Sequence, residues 1–340
     1  MLSSASIRRS SSSVLCCWLV LAAGAPRVHK APHVPITLGI EGFINSTANL
    51  RDSLIATHGD PCDGQHGRRL GGLLDGGGPV SAAFTNIYAQ GRWGGTTHFS
   101  PHGLENHGGS GYGSTPSAGH TAGVALLQVI IEFKATHILD APSGALAWQR
   151  DVLVAIHKLY PCVTYHAVDV VPSVVTQNQR TLQAISGAAE NRSWAHASQV
   201  ELSSEPTPTG SDVILCRDAL QHLDEPTIRK VLRNFCMSKA PLLLVGGFKT
   251  RSTKELNKGG AVGGFMHINL REAPYNFDGP ELLQIYHERR PHLEQLQGRT
   301  PQVLMLYDVP KLCAKMADQA SGVSTSAKAS PVRQFSKKKM

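Results

Sequence analysis

The chain has 340 residues, 41% hydrophobic and 17% charged, enough to bury a sizeable core and too apolar for a disordered chain. Its net charge of +8 sits at the ends, +4 in the first 30 residues and +5 after residue 313, which leaves residues 31–313 near −1. A phosphate-tracking surface has no support in that balance, so nucleic acid is not an expected partner.

Met1 to Ala25 opens with Arg8 and Arg9 among serines and continues through the apolar run Val14 to Ala25. That run is too short to span a bilayer comfortably and matches the core of a signal peptide or short signal anchor. Ala23-Gly24-Ala25 resembles a cleavage site, with Ala22 an alternative because Pro26 hinders cutting. Entry into the secretory pathway is the expectation, with membrane association if the segment stays attached; an organellar transit peptide is the alternative.

Residues 26–83 are rich in Pro, Gly and His without sustained periodicity and read as an irregular linker, punctuated by GDPCDG and DGGGP. The compact domain is expected from Phe84 to residue 313. The seven cysteines do not fix the redox compartment. Cys16 and Cys17 lie in the leader, Cys162 and Cys216 fall in or beside expected buried strands as small hydrophobes, and no CxxC or Cys/His metal spacing occurs. Asn45 and Asn191 head glycosylation sequons, which matter only in the secretory pathway.

From Phe84 to Ser114 the chain carries Tyr88, Trp93, Glu105 and a glycine-rich run from Gly108 to Gly113. We expect a lid there whose aromatics and glycines shape a ligand pocket. His98, His102 and His107 are too irregularly spaced for a metal site. Ser114 or Thr115 then caps a helix running to about Phe133.

The segment THILDAPSGALAW, Thr136 to Trp148, reads as a strand ending in Asp140, a tight turn at Pro142 and Gly144, and a helix to Leu159. YHAVDV, Tyr165 to Val170, is a second strand ending in Asp169, and the three pieces make a βαβ unit. Ligands bind such sheets outside the carboxyl ends of the strands, where glycine lets backbone amides come close. Asp169 can accept hydrogen bonds from ribose hydroxyls. The turn lacks G-x-G-x-x-G, so a nucleoside without phosphates, such as S-adenosylmethionine, fits better than a dinucleotide; Asp140 and Gly144 would meet its amino-acid end.

LDAPSGALAW, YHAVDVVPSVVTQNQR and SDVILCRDALQHL, in that order and spacing, resemble a class I S-adenosylmethionine-dependent methyltransferase. More narrowly they resemble a poorly characterised group whose first motif reads LDAPCGDFNW, with FTNIYAQGRWGG, SGYGST and GGFMHINL as further matching pieces. The resemblance covers about residues 84–312 and implies a Rossmann-like seven-stranded, mostly parallel sheet with helices on both faces and an antiparallel final strand. It implies S-adenosyl-L-methionine as cofactor, held by Asp140, Ala141, Ser143, Gly144, Asp169, Val170 and Arg217, with Glu201 matching the acid that often lies near the adenine amine.

Downstream, Pro172 starts a helix to about Ala189, a third strand is expected between Trp194 and Leu202, and a fourth over Asp212 to Cys216. A helix follows from Pro226 to Cys236, then a fifth strand over Pro241 to Val245, ended by Gly246-Gly247. His222, and after it Asp218, stand where a base could relieve an acceptor hydroxyl of its proton. The long insertion 249–280 is assigned to acceptor binding, with Asn269 joining Tyr88, Trp93 and Glu105 on the substrate side. Leu282 to Glu288 and Val303 to Asp308 complete the strand count, and a basic disordered tail is expected from residue 314.

The activity this reading supports is methyl transfer to a hydroxyl of a glycan or small molecule, without a metal. Where the resembling group has Cys, Asp and Asn, this chain has Ser143, Ala145 and Ala147. Those losses make an inactive, methyltransferase-like binding or scaffolding protein the alternative. The sequence leaves the oligomeric state open.

Overall fold

The computed structural model describes residues 27–29, 39–63, 78–95, 97–100, 103–106, 108–186, 194–249, 257, 260–288 and 301–321. Its strands are β1 Arg27–His29, β2 Thr97–Ser100, β3 Gly103–Asn106, β4 His137–Asp140, β5 Thr164–Asp169, β6 Ala195–Gln199, β7 Val213–Cys216, β8 Leu242–Phe248, β9 Leu282–Glu288 and β10 Gln302–Asp308. The α-helices are α1 Ile40–His58, α2 Pro79–Ala89, α3 Pro116–Phe133, α4 Gln149–Leu159, α5 Pro172–Ser186, α6 Glu225–Met237 and α7 Val309–Ala320.

One large sheet runs β6-β5-β4-β7-β8-β10-β9, with the short β1 added beside β9, which makes eight strands rather than seven. Strands β4 to β8 are mutually parallel, and β10 is antiparallel to both β8 and β9. The Rossmann-like class is therefore as expected. Strands buried on both faces need apolar side chains throughout, and HILD, VILC and LLLVGGF are buried at every position. Strand order reverses at β4, which has β5 on one side and β7 on the other, and opens a crevice at their carboxyl ends.

Helices α1, α3, α4 and α5 pack on one face of the sheet, and α6 and α7 on the other. Helix α6 shows why: Ile228, Val231, Leu232 and Phe235 repeat at helical spacing and are buried, while the Asp224 side chain accepts from Thr227 N and caps the start. Helix α3 is buried on nearly every side because α1 covers the face turned from the sheet. The expected caps hold at Thr115, whose hydroxyl accepts from Ala118 N.

Three expectations about boundaries need correction. The stretch 26–83 is not an irregular linker throughout: α1 lies within it, with Phe43 buried against α3 and α4, and α2 begins at Pro79. The tail does not begin at 314, because α7 continues to Ala320 on the Asp308 cap. Gly246 and Gly247 do not end the fifth strand; they continue β8 to Phe248. A Cβ at Gly246 would stand 3.1 Å from Asp218 N, so glycine there lets the turn after β7 lie against β8. The leader and residues 322–340 lie outside the described residues.

Cys162 is not a free hydrophobe: it is bonded to Cys62 behind α1, and Cys236 of α6 is bonded to Cys313 of α7. Cys216 is buried and free, as expected. The bridges close loops with sequence separations of 100 and 77 residues. Long closed loops restrict the unfolded chain most, so each is expected to contribute about 2–4 kcal/mol. Adding dithiothreitol during a thermal scan should lower the midpoint by roughly 10 °C or more. An unchanged midpoint would show that the bridges contribute no stability.

Candidate functional site

A cleft of about 940 Å³, counting its open mouth, lies over the carboxyl ends of β4, β5 and β7. Asp140 ends β4 and is 1% exposed. Its Oδ2 accepts from Tyr165 Oη at 2.5 Å and Gln149 Nε2 at 3.1 Å. Burial pushes its carboxyl up to about 7, with Tyr165 and Gln149 opposing and nearby Asp169 adding to the rise.

Asp169 ends β5. Its Oδ2 accepts from Gly144 N at 2.9 Å and its Oδ1 from Val171 N at 3.0 Å, so it pins the turn after β4 to its own strand end. Burial raises its pKa, against those backbone hydrogen bonds. Gly144 has φ +59°, and a Cβ there would lie 3.0 Å from Ser110 Oγ. Asn178 of α5 donates to Gly144 O, and Gln149 donates to Ser143 O.

The lid is built from two pieces. Val80, Phe84 and Tyr88 recur every fourth residue on one face of α2, and that face lines the cleft together with Trp93. The glycine run folds over the turn after β4: Ser110 Oγ accepts from Ala145 N at 2.9 Å and is 2.5 Å from Tyr88 Oη. A Cβ at Gly108 would be 2.3 Å from that of Ala145, so the loop passes too close for any other residue. Burial raises the Tyr88 pKa, and Asp169 adds to it.

His222 lies in the turn after β7. Its Nδ1 is 2.6 Å from Gly264 O; a carbonyl only accepts, so Nδ1 carries the proton and Nε2 keeps its lone pair, toward which Gln221 Nε2 stands as a donor at 3.4 Å. Burial lowers its pKa, opposed by Gly264 and by Asp218, so the ring is a neutral imidazole at physiological pH. Trp93 lies 5.0 Å away, centroid to centroid. Asp218 is 3.5 Å from Arg217 Nη1 and takes a hydrogen bond from Gln302 Nε2.

The cleft therefore collects Asp140, Ser143, Gly144, Asp169, Val170, Arg217, Asp218, His222, Tyr88 and Trp93. Three expected residues stand elsewhere, and a fourth is described only in its backbone. Ala141 is buried behind the turn, its N–H donating to Leu215 O. Glu201 turns to the start of α2, where its Oε2 accepts from Ser81 N at 3.2 Å, so it anchors the lid helix instead of facing the cleft. Asn269 bonds Arg271 N through its Oδ1 and shares reciprocal bonds with Asn257, away from the cleft. Glu105 lies on β3 of a two-stranded ribbon with β2, and its side chain is outside what is described, as is that of His98. His102 and His107 are likewise outside the described residues.

Within the insertion 249–280, the GGFM turn supports His222. Gly263 N donates to His222 O and Met266 N to Gln221 O, so the GGFM turn clamps His222 through both backbone and ring. Gly263 has φ +82°, and a Cβ would meet Ile87 Cδ1 at 2.6 Å. Gly263→Ala should cost about 1–2 kcal/mol from the left-handed backbone alone. A thermal midpoint equal to that of the unaltered protein would contradict this.

Arg217, expected to bind cofactor, is largely committed to the fold: Nε donates to Glu288 Oε1, Nη1 to Gly113 O and Nη2 to Ala118 O. Among the described residues lining the cleft it is the one fixed cation, against Asp140, Asp169 and Asp218. Such a cleft suits a cationic or neutral nucleoside and disfavours a pyrophosphate.

No family model matches the chain, and no curated protein matches its sequence. Among solved structures it is similar to the mitomycin 7-O-methyltransferase at 14% identity, covering 56% of this chain and 55% of that one, with TM-score 0.38. It is similar to human N-acetylserotonin methyltransferase in complex with S-adenosylmethionine at 12% identity, 57% and 53% coverage, and TM-score 0.38. It is also similar to the methyltransferase domain of a bacterial Hen1 at 13% identity, 55% and 96% coverage, and TM-score 0.37. The chain spans about half the length of the first two. Likenesses of this size say nothing of a substrate.

Proposed function

We propose that this protein is an S-adenosylmethionine-dependent methyltransferase acting on a hydroxyl group. The observation that carries the reading is the pair of buried carboxylates, Asp140 and Asp169, at neighbouring strand ends around a one-glycine turn with no phosphate cradle. Asp140 would receive the ammonium of the amino-acid end, and Asp169, whose oxygens retain accepting capacity beyond their backbone bonds, the ribose hydroxyls. The apolar slot of Val170, Val200 and Leu202 suits an adenine.

The sulfonium brings a methyl group already activated for transfer, so the protein's work is alignment and exclusion of water. Tyr88, Ser110 and the glycine run close over the turn, and His222 Nε2, whose contact with the Gln221 amide is long at 3.4 Å, would exchange it for the acceptor hydroxyl and take its proton. The two disulfides support an oxidising compartment, which agrees with a secretory leader.

Calorimetric titration with S-adenosylhomocysteine tests the reading. Saturable binding is expected, weakened at least about tenfold in Asp169→Ala and in Asp169→Asn, beside no binding of NADH. A folded protein that ignores the adenosyl ligand, or prefers NADH, would overturn it.

A further inference from the structure

The aromatic side of the cleft narrows the acceptor, on the assumption that the cofactor reading above is correct. We propose that the acceptor is a planar aromatic alcohol, a phenol or naphthol, which stacks on Trp93 and presents its hydroxyl to His222 Nε2.

Rings form a continuous wall opposite the strand ends. Phe84 and Tyr88 lie 5.9 and 5.6 Å from Trp93, and Trp93 lies 5.0 Å from His222. Phe265 lies 5.9 Å from His222 and is 55% exposed, at the margin of the cleft and not in its lining. A flat apolar molecule entering past Phe265 would exchange water for ring faces along its whole length.

A sugar fits this wall poorly. A pyranose carries several hydroxyls, and each one buried without a partner costs free energy. On the reading above Asp140 and Asp169 go to the cofactor, and Asp218 is held by Arg217 and Gln302, so the aromatic side of the cleft offers a pyranose few partners. Tyr88 is bonded to Ser110, and Ser114 Oγ donates to Ser110 O.

The base points the same way. A phenol loses its proton near 10 and an aliphatic alcohol near the value for water, about 15.7. A neutral imidazole is far closer to the first. In the transfer, the phenolic oxygen's electron pair forms the O–C bond to the methyl group while the C–S bond breaks. That bond's pair stays on sulfur, which becomes a neutral thioether, and the phenolic proton passes to His222 Nε2.

The test uses the full chain with its disulfides intact. S-adenosylhomocysteine is titrated first. With it saturating, 2-naphthol and methyl β-galactopyranoside are titrated separately, and transfer from methyl-labelled S-adenosylmethionine to each is then measured. We expect 2-naphthol to bind and to accept methyl, and the galactoside to do neither. Trp93→Leu should weaken naphthol at least about tenfold while leaving S-adenosylhomocysteine affinity intact. Binding of S-adenosylhomocysteine with methylation of the galactoside alone, with no capture of naphthol, or with naphthol affinity unchanged in Trp93→Leu, would overturn the inference and leave the cofactor reading standing. Failure of S-adenosylhomocysteine to bind would overturn both.

Discussion

His222→Ala is expected to slow methyl transfer by about 10²- to 10⁴-fold, the range for losing a positioned general base. Affinity for S-adenosylhomocysteine should stay within about twofold, since the imidazole faces the acceptor side of the cleft. The Nδ1–H bond to Gly264 fixes the tautomer, and the backbone bonds of Gly263 and Met266 hold the turn on which the ring sits. Burial lowers the His222 pKa, so the neutral, active form prevails at and above the ordinary histidine value. At saturating cofactor, transfer should be flat near neutrality and fall only in acid, at a pH below about 6.5. His222→Ala should abolish that acid limb; an unchanged limb would assign it to another group.

Asp140→Asn is expected to act in opposite directions on stability and on binding. Raising a carboxyl from 3.8 to about 7 on folding corresponds to roughly 4 kcal/mol as an upper bound. A folded pKa above the unfolded one means this contribution favours the fold fully below pH 3.8 and is lost as pH rises through about 7. The free protein therefore carries an unfavourable buried charge at pH 8, and Asp140→Asn should raise its thermal midpoint there and change little at pH 4. Affinity runs the other way. The ionised carboxylate attracts the ammonium and sulfonium charges, so S-adenosylmethionine should bind more tightly as pH rises through about 7. In Asp140→Asn that rise should vanish and affinity at pH 8 fall by about tenfold or more. A variant that is both less stable and equally avid at pH 8 would refute the account of this residue.

Much of the strand framework was legible because parallel strands buried on both faces must be apolar runs, and HILD, VILC and LLLV are such runs. The acids at their ends were legible for the same reason: a carboxylate closing an apolar strand has few structural uses. The lid helix was harder to see. Gly78-Pro79 is a helix-start signal, and Val80, Phe84 and Tyr88 repeat every four residues, yet the glycine-rich surroundings mask the pattern. Glu201 was misplaced because strand position alone does not reveal that α2 begins over it. Ser110 and Gly264 act through contacts with residues 35 and 42 positions away, and a local reading has no access to such pairs. The Cys62–Cys162 and Cys236–Cys313 pairings are long-range in the same sense. Nothing in the spacing of the cysteines chooses between possible partners.

A crystal structure of the protein with S-adenosylhomocysteine tests the central claim most directly. The account predicts the ribose hydroxyls on Asp169, the amino-acid end beside Asp140 and Gly144, the adenine against Val170 and Leu202, and the sulfur facing the Trp93–His222 wall. An adenosyl group bound elsewhere, or bound here with its ribose away from Asp169, would contradict it.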